Sequence, residues 1–141
     1  MSISSQNLAK TKHILAIDYG ESKVGLALAD RETKIPFAYN TIENDKHLLV
    51  KICEIIAEKN VDTVILGIPA YINRKSVEYI QEKIGKIIAS EFPVKVEYQD
   101  ETFTTKMAHA NLIQKGVKGI KKYDDQEAAR IILEGWLNRQ N

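Results

Sequence analysis

Acidic side chains stand at three points of this 141-residue sequence where they could act together. Asp18 closes the apolar run "HILAIDYG", Asp100 and Glu101 end "VKVEYQDE", and Asp124 and Asp125 open "DDQEAARIILEGWL". An acid at the end of an apolar strand is costly to bury without a partner. Carboxylates brought to one point repel each other unless a cation holds them. A small set of hard oxygen donors suits Mg²⁺ or Mn²⁺, which keep waters and take phosphate oxygens as remaining ligands. Each acid also has a plainer reading: Asp18 in a turn, Asp100 and Glu101 as a polar lead-in before Thr104 and Thr105, Asp124 or Asp125 as a helix cap. Their coincidence carries the functional case. Asp30, at the end of a second strand, reads as a turn former.

Cations cluster elsewhere. From Phe103 to Tyr123 there is no Asp or Glu, while Lys106, Lys115, Lys118, Lys121 and Lys122 all fall there. In a chain of net charge +1 such a one-signed stretch attracts a phosphate backbone, through contacts that carry no base specificity. The segment "KGVKGIKK", with its two glycines, reads as a loop able to close over a strand, and Lys118, Lys121 and Lys122 are candidate substrate contacts. Lys23 follows the turn after Asp18 and is a further phosphate candidate, with an idle surface lysine as the alternative. Asn73 and Arg74, beside Tyr71 and Lys75, follow a strand ending at Gly67 and are candidate substrate contacts or an ordinary helix entry capped by Asn73. His13, His47 and His109 show no metal-ligand spacing.

The elements that must position these residues follow from periodicity. "HILAIDYG" predicts a buried central strand, and "SKVGLALAD" an antiparallel hairpin partner in which Gly25 allows close backbone approach. "IPFAYNTIE" predicts an edge strand, since Pro36 lacks a ladder donor. The period then changes: Leu49, Ile52, Cys53 and Ile56 share one helical face. "VDTVILGIP" predicts a second buried strand. Val77, Ile80, Ile84, Ile87 and Ile88 form a helical stripe closed by Pro93. "VKVEYQDE" predicts the last strand and "FTTKMAHANLIQKG" a helix. After a loop over "VKGIKKYD", the final helix carries Ala128, Ile132 and Trp136, with Leu133 and Leu137 beside them. The order β-β-β-α-β-α-β-α-α implies a mixed sheet with helices on both faces.

Composition bounds the rest. With 44% hydrophobic and 28% charged residues the chain is of globular type and its length suits one domain, read as residues 13–141 after a loose polar tail over 1–12. The single cysteine, Cys53, excludes an internal disulfide framework, reads as a buried thiol and suits a reducing cytoplasm. No apolar run reaches the ~18 residues of a membrane helix, and the first dozen residues lack the apolar centre of a signal peptide.

"ILAIDYGESKVGLALAD", "VILGIPAYIN", "VEYQDETFTTKMA" and "DDQEAARIILEGWL" resemble, in order and spacing, the YqgF family of bacterial proteins, RuvC-related members of the ribonuclease H-like superfamily described as Holliday-junction resolvases and pre-16S rRNA nucleases. The resemblance implies an α/β, ribonuclease H-like fold: a five-stranded mixed sheet with its second strand antiparallel, flanked by helices. It also implies metal-dependent phosphodiester hydrolysis by acids that fall here on Asp18, on Glu101 or its neighbour Asp100, and on Asp125. Asp125 is preferred to Asp124 because the family sets its acid three residues before a paired alanine, here Ala128–Ala129. For such hydrolysis the expected mechanism is a two-metal one, with two Mg²⁺ or Mn²⁺ ions held by Asp18, Glu101 and Asp125. The implied partners are structured RNA or branched DNA and ribosomal precursor particles. Lys23 and Thr102 stand where the family carries arginines, and an arginine's planar two-pronged grip on phosphate is lost at both. Three other expectations compete. A catalytically weak nucleic-acid-binding module of the same fold would lack metal-linked stabilisation. An actin-like ATPase would need two such domains. A receiver-like domain would need five parallel βα units in place of the opening hairpin.

Overall fold

The computed structural model describes residues 11–69, 78–100 and 120–140, with the side chains of 120–124 left aside. Strands β1 (His13–Tyr19), β2 (Lys23–Asp30) and β3 (Pro36–Glu43) lead into helix α1 (Leu48–Glu58), then β4 (Val61–Ile68), α2 (Ile80–Glu91), β5 (Lys95–Asp100) and α3 (Ile120–Arg139). The five strands form one sheet in the order β3-β2-β1-β4-β5. β2 runs antiparallel to β1 and β3, whereas β1, β4 and β5 run parallel. This is the expected α/β architecture, with β1 at the centre. The helix expected over "FTTKMAHANLIQKG" and the tail over 1–10 lie outside the described residues.

Alternation along the strands divides two cores. Leu15, Ile17, Val24, Leu26, Leu28, Val64 and Leu66 face α1 and α2. Ile14, Ala16, Ala27, Ala29 and Ile65 face α3, which contributes Ala129, Ile132, Leu133, Trp136 and Leu137. β1, β2 and β4 are buried on both faces, so their sequences read as continuous apolar runs. The α3 face is rich in alanine, so this helix can lie close to the strands. Trp136 belongs to that core as expected, and its indole N–H donates to Glu97 on edge strand β5.

Both helices on the other face are rotated from their expected stripes. α1 buries Leu48, Ile52, Ile55 and Ile56, while Leu49 and Cys53 are half-buried. The run "LLVKICEII" is apolar over more than one stripe, and only the sheet selects between neighbouring choices. Burial, with Glu91 nearby, raises the Cys53 thiol pKa, which leaves it a poor nucleophile. α2 buries Gln81, Ile84, Gly85 and Ile88, and leaves Ile80 46% and Ile87 43% exposed. The face centres on Gly85 because a Cβ there would run into the Tyr98 hydroxyl and approach Leu66 and Val96 to 3.1 Å. A glycine carries no hydrophobic signal, so periodicity points to the isoleucines instead.

α3 also begins earlier than expected. The segment read as a loop to Asp124 is helical from Ile120, so Lys121 and Lys122 lie in the first turn and Asp125 more than a turn inside. The stretch Ile120–Arg139 holds no proline and a single glycine, Gly135, through which the helix continues.

Candidate functional site

Three local features build the site around Asp18. The first is the strand end itself. By alternation Asp18 falls on the α3 face of β1, in line with Ala16, at the carboxyl end of the strand where ligands of open α/β sheets gather. The second is its cross-strand partner, Gly25. One step beyond the registered pair Ile17 and Leu66, the neighbouring residue on β4 is Gly67. Asp18 is thus flanked on both sides by residues without side chains, which leaves its carboxylate room above the sheet.

The third feature is the arrival of α3. A Cβ on Gly25 would strike the Asp125 backbone carbonyl and stand 3.2 Å from the Asp125 Cα. The close approach expected at Gly25 therefore has a specific occupant. Across an antiparallel pair Cα atoms are about 5.5 Å apart, so the Cα atoms of Asp18 and Asp125 lie on the order of 10 Å apart at most. Both residues are half-buried and both have polar interactions. The Asp125 backbone lies beside the cross-strand partner of Asp18 because a glycine there lets the helix rest on the strand.

Asp100 differs. Val96 and Tyr98 pack with the α1/α2 core, whereas Glu97 meets Trp136 and Gln99 lies against Gly135. Asp100 has the parity of Tyr98, and therefore takes the register position of the face opposite Asp18; it is exposed. Glu101, Asn73, Arg74 and Lys118 lie outside the described residues, as do the side chains of Lys121 and Lys122. Among the described residues no group of three or more His, Cys, Asp or Glu converges as a metal cage.

Lys23 is engaged. It sits opposite Glu43 on β3 and forms an exposed ion pair with that carboxylate. Asp30 is the turn former expected, its Oδ1 accepting from the N–H groups of Glu32 at 2.7 Å and Thr33 at 3.2 Å. His13 donates through Nδ1–H to the Lys59 carbonyl at 2.8 Å and belongs to no group of three or more potential metal ligands among the described residues.

Sequence reasoning missed two neighbours of the site. Asn44, just after β3, holds the turn that follows β1: its side-chain amide donates to the Gly20 carbonyl at 2.7 Å, and its backbone N–H donates to the Ser22 carbonyl at 2.9 Å. On α3, Glu127 is 6% exposed and grips Arg130 through two hydrogen bonds of 2.8 and 2.7 Å. That carboxylate raises the pKa of the Arg130 guanidinium. Neither residue had a signal in the sequence, because an asparagine before a helix and an (i, i+3) ion pair are ordinary features.

The five-stranded sheet in the order β3-β2-β1-β4-β5, with its second strand antiparallel, has the fold of the RuvC-like ribonuclease H class. The fowlpox virus resolvase bound to Holliday junction DNA superposes with a TM-score of 0.61 at 15% identity, covering 91% of this chain and 98% of that one. The Thermus thermophilus RuvC complex with a Holliday junction gives a TM-score of 0.56 at 14% identity, with 92% and 95% covered. Residues 12–139 match the family model described as "RuvX: Holliday junction resolvase", and the chain belongs to that nuclease family. A relative from Porphyromonas gingivalis named "Putative pre-16S rRNA nuclease" is 33% identical over 133 residues, covering 89% of this chain and 95% of its own length. One of the same name from Burkholderia cenocepacia is 28% identical over 137 residues, covering 93% and 92%.

Proposed function

We propose that this chain is a divalent-metal-dependent nuclease hydrolysing phosphodiester bonds in structured nucleic acid, with precursor 16S rRNA or a Holliday junction as substrate. The observation that carries this reading is the Asp125 backbone resting on Gly25, the cross-strand partner of Asp18, at the strand end where open α/β sheets gather ligands. Carboxylates alone, with room above them, form a donor set suited to Mg²⁺ or Mn²⁺ and to neither soft nor strongly nitrogen-preferring metals. Asp18, Asp125 and Glu101 are assigned to hold two such ions. Glu101 is preferred to Asp100 because Asp100 takes the register position of the face opposite Asp18. When bound, the ions lower the pKa of an attacking water and stabilise charge on the leaving oxygen of an in-line displacement. Asp18, placed centrally and flanked by Gly25 and Gly67, leaves space on both sides for the phosphate to approach. Lys118, Lys121 and Lys122 offset phosphate charge along the incoming strand, and Asn73 and Arg74 line its path. Lys23 joins them on release from Glu43. An rRNA substrate would bring the chain onto ribosomal precursor particles, in the cytoplasm to which its one free cysteine is suited.

The test is cleavage of a 16S precursor transcript and of a four-way DNA junction, with Mg²⁺ or Mn²⁺ and with EDTA. Metal-dependent cleavage of at least one, abolished in Asp18→Asn, is the expected result. Tight binding of both with cleavage of neither would leave only a nucleic-acid-binding module of this fold.

A further inference from the structure

We infer that Asn44 is a positioning residue for substrate, and that it does so by turning two backbone amides of the β1–β2 turn into a seat for a phosphodiester oxygen beside Asp18. This rests on the nuclease reading above for its substrate class, but the geometry is independent of it. Asn44 takes two carbonyls of one turn, that of Gly20 through its side-chain amide and that of Ser22 through its backbone N–H. No peptide among the described residues is cis, and in a trans peptide the C=O and the following N–H point in opposite directions. Both carbonyls face Asn44, so the N–H groups of Glu21 and Lys23 face away from it. Asn44 lies at the end of β3, and the sheet order is β3-β2-β1, so away from Asn44 is toward the exit of β1 and Asp18. Paired amides of one orientation make an anion-binding concavity.

The turn needs this help. Its residues Glu21, Ser22 and Lys23 are exposed, Glu21 brings a carboxylate, and the Lys23 ammonium is committed to Glu43. Without the side-chain amide of Asn44, the Gly20–Glu21 peptide is free to rotate, and one of the two donors loses its direction. Gly20 is suited to the position, because a Cβ there would stand 2.5 Å from the Lys23 carbonyl. Asn44 touches neither metal nor reacting atoms, so its effect belongs in substrate affinity.

The experiment uses the full ¹⁵N-labelled chain in EDTA, titrated with a phosphorothioate junction oligonucleotide and, separately, with inorganic phosphate. Saturable shifts of the Glu21 and Lys23 amide resonances are expected in the wild type. In Asn44→Ala the Glu21 shift vanishes while the Lys23 shift persists, because the Asn44 backbone N–H still holds the Ser22 carbonyl, and oligonucleotide affinity falls about tenfold. The salt dependence of binding keeps its slope, since no cation is removed. With metal, KM rises about tenfold while kcat stays within about twofold, and calorimetric Mn²⁺ affinity is unchanged. Asn44→Asp, similar in shape but without the donor, behaves alike. Wild-type amides that stay still, or variants that lose Mn²⁺ affinity or kcat with KM unchanged, overturn the assignment. Amide shifts in a wild type that cleaves nothing would sink the nuclease reading and leave this one standing.

Discussion

At position 25 one added methyl group is enough to displace a helix. An alanine there would place its Cβ against the Asp125 backbone, which has no flexible end to give way. Gly25→Ala is expected to cost about 1–3 kcal/mol, the usual range for overpacking, and to lower activity further by moving Asp125 from Asp18. Chemical denaturation and cleavage rates on the same sample check both halves. Gly135→Ala is the contrast. Its new Cβ would meet only the Gln99 side-chain amide at 2.9 Å, and alanine is the better helix former by about 1 kcal/mol. That variant should be neutral or slightly stabilised, with full activity. Asp18→Asn should leave the fold as stable as before and reduce cleavage by more than about a hundredfold, since even an outer-shell partner of a metal is worth about 10–100-fold. At Lys23 the committed ion pair predicts the opposite sign: Glu43→Gln frees the ammonium and should tighten oligonucleotide binding, read by fluorescence anisotropy at low salt.

At the scale of elements, α3 is the piece that must be docked correctly, and its two halves are fixed by different means. Its first half rests on Gly25; its second is tied to β5 by the Trp136 indole donating to Glu97 at 3.1 Å. That hydrogen bond, then Lys95, holds the Glu97 carboxyl below the usual range, although burial opposes it. A depressed folded pKa stabilises above the unfolded value, about 4.3 for Glu, and the gain is lost as pH falls through the lower folded value. Trp136→Phe should therefore cost about 1–3 kcal/mol near neutrality and show a shallower loss of stability between pH 5 and the acid limit, by thermal melts across pH. Glu97→Gln should flatten the same limb. On the other face, α2 comes close to the sheet only through Gly85, which explains why two of its isoleucines stay exposed.

Taken whole, the molecule keeps the proposed binding site and its fastening contacts at opposite ends of its strands. Asp18, the Gly20–Lys23 turn and Asn44 stand at the carboxyl end of β1. At the other end Arg31, beyond β2, is hydrogen-bonded to Asp62 at 3.1 and 2.9 Å and to Thr63 at 2.8 Å, fastening the hairpin to the start of β4. Asp30 closes the turn beside it. If Asp18 and Asp125 hold a cation as proposed, Mn²⁺ should raise the melting temperature of the folded chain with saturation, as linkage requires. EDTA should reverse the rise, and Asp18→Asn should abolish it. A wild type whose melting is indifferent to Mn²⁺ at millimolar concentration contradicts the metal assignment. No described helix is long and apolar enough to cross a membrane.

The sequence by itself determined the strands, their order in the chain and the layered class, because burial on both faces imposes long apolar runs and burial on one imposes a period. It also marked Asp18, an acid against an apolar strand, while Asp125 is preferred to Asp124 only through the family resemblance around Ala128–Ala129. It could not determine which residues meet. That Gly25 seats Asp125, that Gly85 turns the face of α2, that Lys23 is taken by Glu43 and that Asn44 holds the turn are all consequences of contacts between residues remote in the chain. Absence of a side chain has no periodicity, and a polar residue's partner is set by packing geometry, so these were decided only in the folded molecule.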